Sequence, residues 1–133
     1  MNDILESLAA QPGCEVLRLP ALPAFFAAHP RALLFVTGDT AQRPEGLDVA
    51  VVVREILRTY AGQLAVALVD RRDEAAVMPQ FGVVVTPAVV YVRDGEAAEL
   101  VARMRDWTVY VQACERLLAP DGGANATSVG GYA

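Results

Sequence analysis

Lysine is absent from all 133 residues of this chain, so neither a phosphate-loop lysine nor a Schiff-base lysine is available. Histidine occurs once, as His29 before Pro30, which excludes a multi-histidine metal site and a repeated acid–base system. Its expected place is the end of a helix. The two cysteines, Cys14 and Cys114, stand at opposite ends of the sequence and make no disulfide framework. Both read as small buried hydrophobes. No apolar run approaches the ~20 residues that a membrane helix needs. Met1 to Glu6 carries acids where a secretory signal carries positive charge, so the expected compartment is the cytoplasm, and the Asn125-Ala126-Thr127 sequon is discounted.

What is present is acid and apolar residue. The formal net charge of −5 opposes nonspecific attraction to nucleic acid or anionic lipid and suits a basic or mixed basic–apolar partner. At 54% hydrophobic residues the chain can bury one core. The expectation is a single domain over 1–119 and a small, polar, disordered tail over 120–133.

Periodicity and punctuation give the elements. Asp3 to Ala10 reads as a short amphipathic helix stopped by Pro12-Gly13, and Glu15 to Leu19 alternates as a half-buried, non-central strand does. Pro23 to His29 reads as a helix between prolines. Ala32 to Val36 is an apolar run suited to the middle of a sheet. Thr37 to Leu47 has no period and reads as a loop, with Asp48 capping a helix whose apolar positions are Val49, Val52, Val53, Ile56, Leu57 and Tyr60. Leu64 to Val69 is a further strand, and Asp73 to Gln80 allows one or two helical turns. Ala88 to Val92 and Ala98 to Met104 form a hairpin about Asp94-Gly95. Asp106 to Leu118 closes the domain as a helix, its stripe holding Trp107, Val111, Cys114, Leu117 and Leu118.

The order β-α-β-α-β-α-β-β-α, with Phe81-Gly82 ahead of Thr86-Pro87 and the hairpin, resembles thioredoxin. That resemblance implies an α/β thioredoxin-like fold, a central mixed sheet of four to five strands flanked by helices, with a cis-proline at Thr86-Pro87. The segment Val36 to Pro44 occupies the turn where a redox Cys-x-x-Cys would sit, and it contains no cysteine. Thr40 and Arg43 stand there instead. Gly38-Asp39, Arg43-Pro44-Glu45, Asp48 to Val52 and Glu55-Ile56-Leu57 are similar to a narrower family, the HyaE/HupG/HoxO hydrogenase-expression proteins, which lack the redox pair. Membership implies a non-catalytic assembly chaperone without cofactor or metal. Its implied partner is the [NiFe]-hydrogenase small-subunit precursor, including the twin-arginine signal peptide, held before export, with other hydrogenase accessory proteins as further candidates.

The expected partner-binding residues are Gly38, Asp39, Arg43, Pro44, Glu45, Asp48, Thr86 and Pro87. Each has a plainer reading beside it. Asp39, Glu45 and Asp48 read equally as loop and cap residues, Asp48 as a cap first, and neutralising Asp39 together with Glu45 is expected to weaken binding while leaving stability nearly unchanged. Arg43-Pro44 reads as a solvated turn, as an arginine paired with Glu45 or Asp48, or as a recognition element. Trp107 reads as packing, Thr86-Pro87 as structural, and Asp94-Gly95-Glu96 as a solvated hairpin tip. Two alternatives stand beside the chaperone: a thiol–disulfide oxidoreductase, which lacks its thiolate at the helix start, and an interaction module of another pathway.

Overall fold

The computed structural model describes residues 3–120, so the expected tail beyond Pro120 lies outside the described residues. Five strands form one sheet: β1 Cys14–Leu17, β2 Arg31–Val36, β3 Ala65–Val69, β4 Ala88–Arg93 and β5 Glu96–Ala102, in the order β1-β3-β2-β4-β5. Strand β3 pairs in parallel with β1 and β2, while β4 runs antiparallel to both β2 and β5. The helices are α1 Asp3–Ala9, α2 Leu22–Ala28, α3 Glu45–Thr59, α4 Glu74–Val77 and α5 Trp107–Leu118.

Strand alternation sends side chains to two separate cores. On one face Leu33, Phe35, Val66, Leu68, Val89 and Tyr91 pack beneath α1, α3 and α5. On the other, Leu34, Val36, Ala67, Val69, Val90 and Val92 pack beneath α2 and α4. Strands β2, β3 and β4 are therefore covered on both sides, which is why their sequences are continuous apolar runs rather than alternating ones. The edge strands are short or exposed, with Val16 half exposed on β1.

The boundaries differ from expectation where local chemistry intervenes. Pro20 ends β1 early, and Leu19–Ala21 forms a 3-10 turn leading into α2. Helix α2 ends at Ala28, with His29 as its C-cap. The two-residue hairpin turn has Asp94 at φ 52° and Gly95 at φ 84°, the type I′ geometry that matches strand twist. Strand β5 consequently begins at Glu96, with an irregularity opposite Tyr91 and Val92, and it stops at Ala102 before Arg103 turns left-handed at φ 67°. The stripe of α5 is rotated too. Tyr110, Ala113, Cys114 and Leu117 are buried, whereas Trp107 is 41% exposed and belongs to neither core. Trp107 opens the helix, and Tyr110 takes the inward place, its hydroxyl donating to the Arg103 carbonyl at 3.0 Å.

Candidate functional site

Beyond the C-terminal end of β2 the chain passes through Thr37-Gly38-Asp39 and a short turn to α3, and it meets the segment before β4. This is the turn where the missing Cys-x-x-Cys was expected, and several constraints hold it in place. Gly38 has φ 75°, and a Cβ there would stand 2.8 Å from Thr86 Cβ, so only glycine allows the two segments to approach this closely. The Thr86-Pro87 peptide bond is cis, and Pro87 is buried. Gly46, in the first turn of α3, is equally confined, since a Cβ would lie 2.7 Å from the Thr37 carbonyl oxygen.

Beneath the turn lies a carboxylate that sequence reasoning passed over. Glu74, at the start of α4, is 5% exposed and accepts from the Gly38 amide at 3.3 Å, from Thr37 Oγ1 at 3.2 Å and from the Arg71 guanidinium. Burying a charge without such partners is costly, so this network fixes the turn as well as satisfying Glu74. Its sequence trace was faint: the second of two acids after an arginine pair, at the start of a short helix.

Asp39 is exposed and folds back on its own turn, accepting from the amides of Ala41 (3.0 Å) and Gln42 (3.4 Å). Helix α3 starts at Glu45, inside the expected loop, with Pro44 at the N-cap and no side-chain cap. Asp48 is therefore not the cap. It sits exposed in the first turn beside Glu45, where an acid suits the positive end of the helix dipole.

Glu45 is engaged elsewhere. Its carboxylate accepts from Arg103 Nε at 2.9 Å, Arg103 Nη2 at 2.6 Å and the Met104 amide at 2.6 Å, tying α3 to the end of β5. The Arg103 guanidinium, together with the Met104 amide, holds the Glu45 carboxyl below its ordinary range. This leaves Arg43 without an ion pair among the described residues, so the expected pairing with Glu45 or Asp48 does not form. Arg43 is exposed at the site.

Asp39, Gln42, Arg43, Met78, Val84, Val85 and Thr86 line a groove of about 330 Å³. Val84 is 86% and Val85 46% exposed, an unusual position for adjacent β-branched residues. Of the expected site residues, Asp39, Arg43 and Thr86 line this groove; Gly38, Pro44 and Pro87 shape the turns around it; Glu45 and Asp48 lie outside its lining. Gln42, Met78, Val84 and Val85 were missed. The apolar run ahead of Thr86-Pro87 was the signal for Val84 and Val85; Gln42 and Met78 carried none.

The groove has no thiol. Cys14 and Cys114 are both free and buried, and desolvation pushes their thiols up to about 12 and about 11. His29 is at the other end of β2, its ring 4.5 Å from that of Phe25. Among the described residues no group of three or more His, Cys, Asp or Glu side chains is arranged to hold a metal ion. The arrangement offers an apolar strip, an arginine, a carboxylate and exposed backbone, which are means of holding a polypeptide.

Comparison with known proteins agrees with this geometry. The fold is thioredoxin-like: a mutant thioredoxin from Halobacterium salinarum superposes with a TM-score of 0.67 at 21% identity, over 79% of this chain and 89% of that one. A putative hydrogenase expression/formation protein HupG from Rhodopseudomonas palustris matches with a TM-score of 0.55 at 29% identity, covering 80% of this chain and 95% of its own. In sequence, the hydrogenase expression/formation protein HupG of Rhizobium leguminosarum bv. viciae is 38% identical over 118 residues, 88% of this chain and 79% of the relative. Residues 4–110 match the family model of the hydrogenase-1 expression protein HyaE, and the chain belongs to that family.

Proposed function

We propose that this protein serves hydrogenase maturation as a non-catalytic, cytoplasmic assembly chaperone that holds the [NiFe]-hydrogenase small-subunit precursor, its twin-arginine signal peptide included, before export. The observation that carries this reading is the groove beside Thr86-Pro87: its frame is tightly built by Gly38, Glu74 and Gly46, yet Thr40 and Arg43 stand where a thiol pair would react. In this reading Asp39, Arg43 and Thr86 touch the partner, and Gly38, Pro44 and Pro87 shape the surface. Glu45 is committed to Arg103, while Asp48, exposed in the first turn of α3, adds negative charge outside the groove lining, and charge of this kind favours encounter with a basic segment.

The test is retention of the precursor, with and without its signal peptide, by the purified protein. Retention that weakens about tenfold in Asp39→Asn combined with Arg43→Ala supports the reading, since charged contacts at an interface carry effects of that size. No retention of either form overturns it. Insulin reduction assayed in parallel should show no turnover; turnover that survives Cys14→Ser with Cys114→Ser would refute the non-catalytic assignment.

A further inference from the structure

A hollow larger than the Thr86-Pro87 groove is present elsewhere in the fold. It lies at the other end of β2, where α2 passes the tip of the β4–β5 hairpin, and it measures about 820 Å³. Six residues of strand separate the two ends, about 20 Å at the ordinary rise per residue. The cavity is an open trough. Phe26 and Phe81 line it, their ring centroids 5.8 Å apart, with Phe26 itself buried, and so do Pro23 and Ala27, both exposed on α2. Asp94 and Glu96 of the hairpin tip complete the lining named here. The Asp94 carboxylate is 62% exposed and 3.7 Å from Arg31, while Glu96 is exposed and forms no ion pair among the described residues.

Apolar side chains and two carboxylates lining one trough are a specific combination. Apolar side chains gain by leaving water there, and a cation beside them gains from the exposed Glu96, where it need not be desolvated. A small polar metabolite would find no buried polar side chain aimed at it. A nucleic acid or an anionic lipid surface would meet carboxylates. The excess of sixteen acids over eleven arginines acts in the same direction at longer range. We infer that this trough is a second polypeptide-binding surface, which takes an apolar peptide segment carrying an arginine or lysine immediately beside it.

This assignment rests on the reading of the protein as a holder of other polypeptides, and it gives that role a surface separate from the Thr86-Pro87 groove. A partner engaging both ends would be held through one linked chain, with the avidity that linkage supplies. The hairpin tip then has a task beyond closing the sheet, because the turn at Asp94-Gly95 brings Asp94 and Glu96 into the lining of the trough.

The experiment uses the full chain and a fluorescent synthetic peptide in which an arginine pair precedes a leucine–alanine run, followed by anisotropy. A second peptide with glutamates for the arginines serves as its control. Saturable binding of the first peptide, at least about tenfold tighter than that of the second, is expected for contact with the two carboxylates. Glu96→Arg should weaken binding about tenfold by reversing the charge there. Ala27→Arg, on the exposed side of α2, should do the same by occupying the trough, and both variants should keep the wild-type melting temperature. Absence of binding, equal binding of the two peptides, or wild-type affinity in both variants overturns the inference. The two claims fail separately. Peptide affinity left at the wild-type value by both variants, with the precursor still retained, removes the trough and leaves the chaperone reading, whereas variant-sensitive peptide binding without precursor retention does the reverse.

Discussion

At the scale of single residues, the site is governed by what has no room to grow. Gly46 is the clearest case, because two effects oppose each other there. Alanine is a better helix former than glycine by about 1 kcal/mol, so helix propensity alone favours Gly46→Ala. The new Cβ, however, would meet the Thr37 carbonyl oxygen at 2.7 Å and Thr40 Cγ2 at 3.0 Å. Backbone cannot swing aside as a flexible side-chain end can. The steric effect should win, and urea unfolding of Gly46→Ala should show a loss of about 1–3 kcal/mol, the usual range for overpacking. A gain in stability would mean that the turn yields freely. Gly46 was visible in the sequence only as part of an unstructured loop, since nothing local states that a carbonyl from the preceding strand end lies above it. The two cysteines, read as small buried hydrophobes because they make no disulfide framework, are both buried.

At the scale of elements, the link between α3 and the end of β5 revises the expectation for Glu45. Its carboxylate was expected to be exposed and dispensable, whereas it receives three donors from Arg103 and Met104. Arg103 needs such support, since a non-glycine residue at φ 67° is in a sparsely populated conformation. Its amide also donates to the Pro87 carbonyl at 2.7 Å, so the same corner borders the cis-proline segment. Glu45→Gln should therefore speed hydrogen exchange at the Met104 amide and lower the melting temperature, while Asp39→Asn should do neither. Unchanged exchange at Met104 would show that the corner is held by other contacts. The rotation of α5 belongs to this scale as well: apolar spacing alone accommodated Trp107 as readily as Tyr110, and only the hydroxyl's bond to the Arg103 carbonyl selects Tyr110 for burial.

At the scale of the whole molecule, the charge pattern gives a pH profile with two limbs. Arginine partners hold three carboxyls low in the folded state: Glu45 beside Arg103, Asp70 beside Arg72 and Asp73 beside Arg18. Because their folded values lie below the unfolded ones, the stability they contribute is present above about pH 4 and is lost as pH falls further. Each pair is solvent-exposed, so the effect per pair is small. Burial raises Cys14 to about 12 and Cys114 to about 11, and it raises the Tyr91 hydroxyl, which donates to the Tyr110 carbonyl at 3.0 Å. Groups with raised folded values contribute stability that is lost as pH rises from the ordinary thiol value of 9.0 through these folded values. The denaturation midpoint should be flat from about pH 5 to 8 and fall on both sides. A midpoint that rises between pH 9 and 11 would contradict the burial of the thiols.

Strand and helix order were determined by the sequence itself, because apolar runs at Ala32 to Val36 and Leu64 to Val69, helical spacing from Val49 to Leu57 and an Asp-Gly turn are local signals. The absence of a thiol from the turn before α3 was equally plain, since a missing residue type needs no coordinates. Only the tertiary structure decided which acids are available. Asp39, Glu45, Asp48 and Glu74 look alike as residues, yet Glu74 is buried under Gly38, Glu45 is committed to Arg103, and Asp39 and Asp48 remain exposed. The same holds for the trough at Phe26, Phe81, Asp94 and Glu96, whose members come from separate parts of the chain. Their partners are far away in sequence and become neighbours only when the sheet closes, so no periodicity or spacing could announce them.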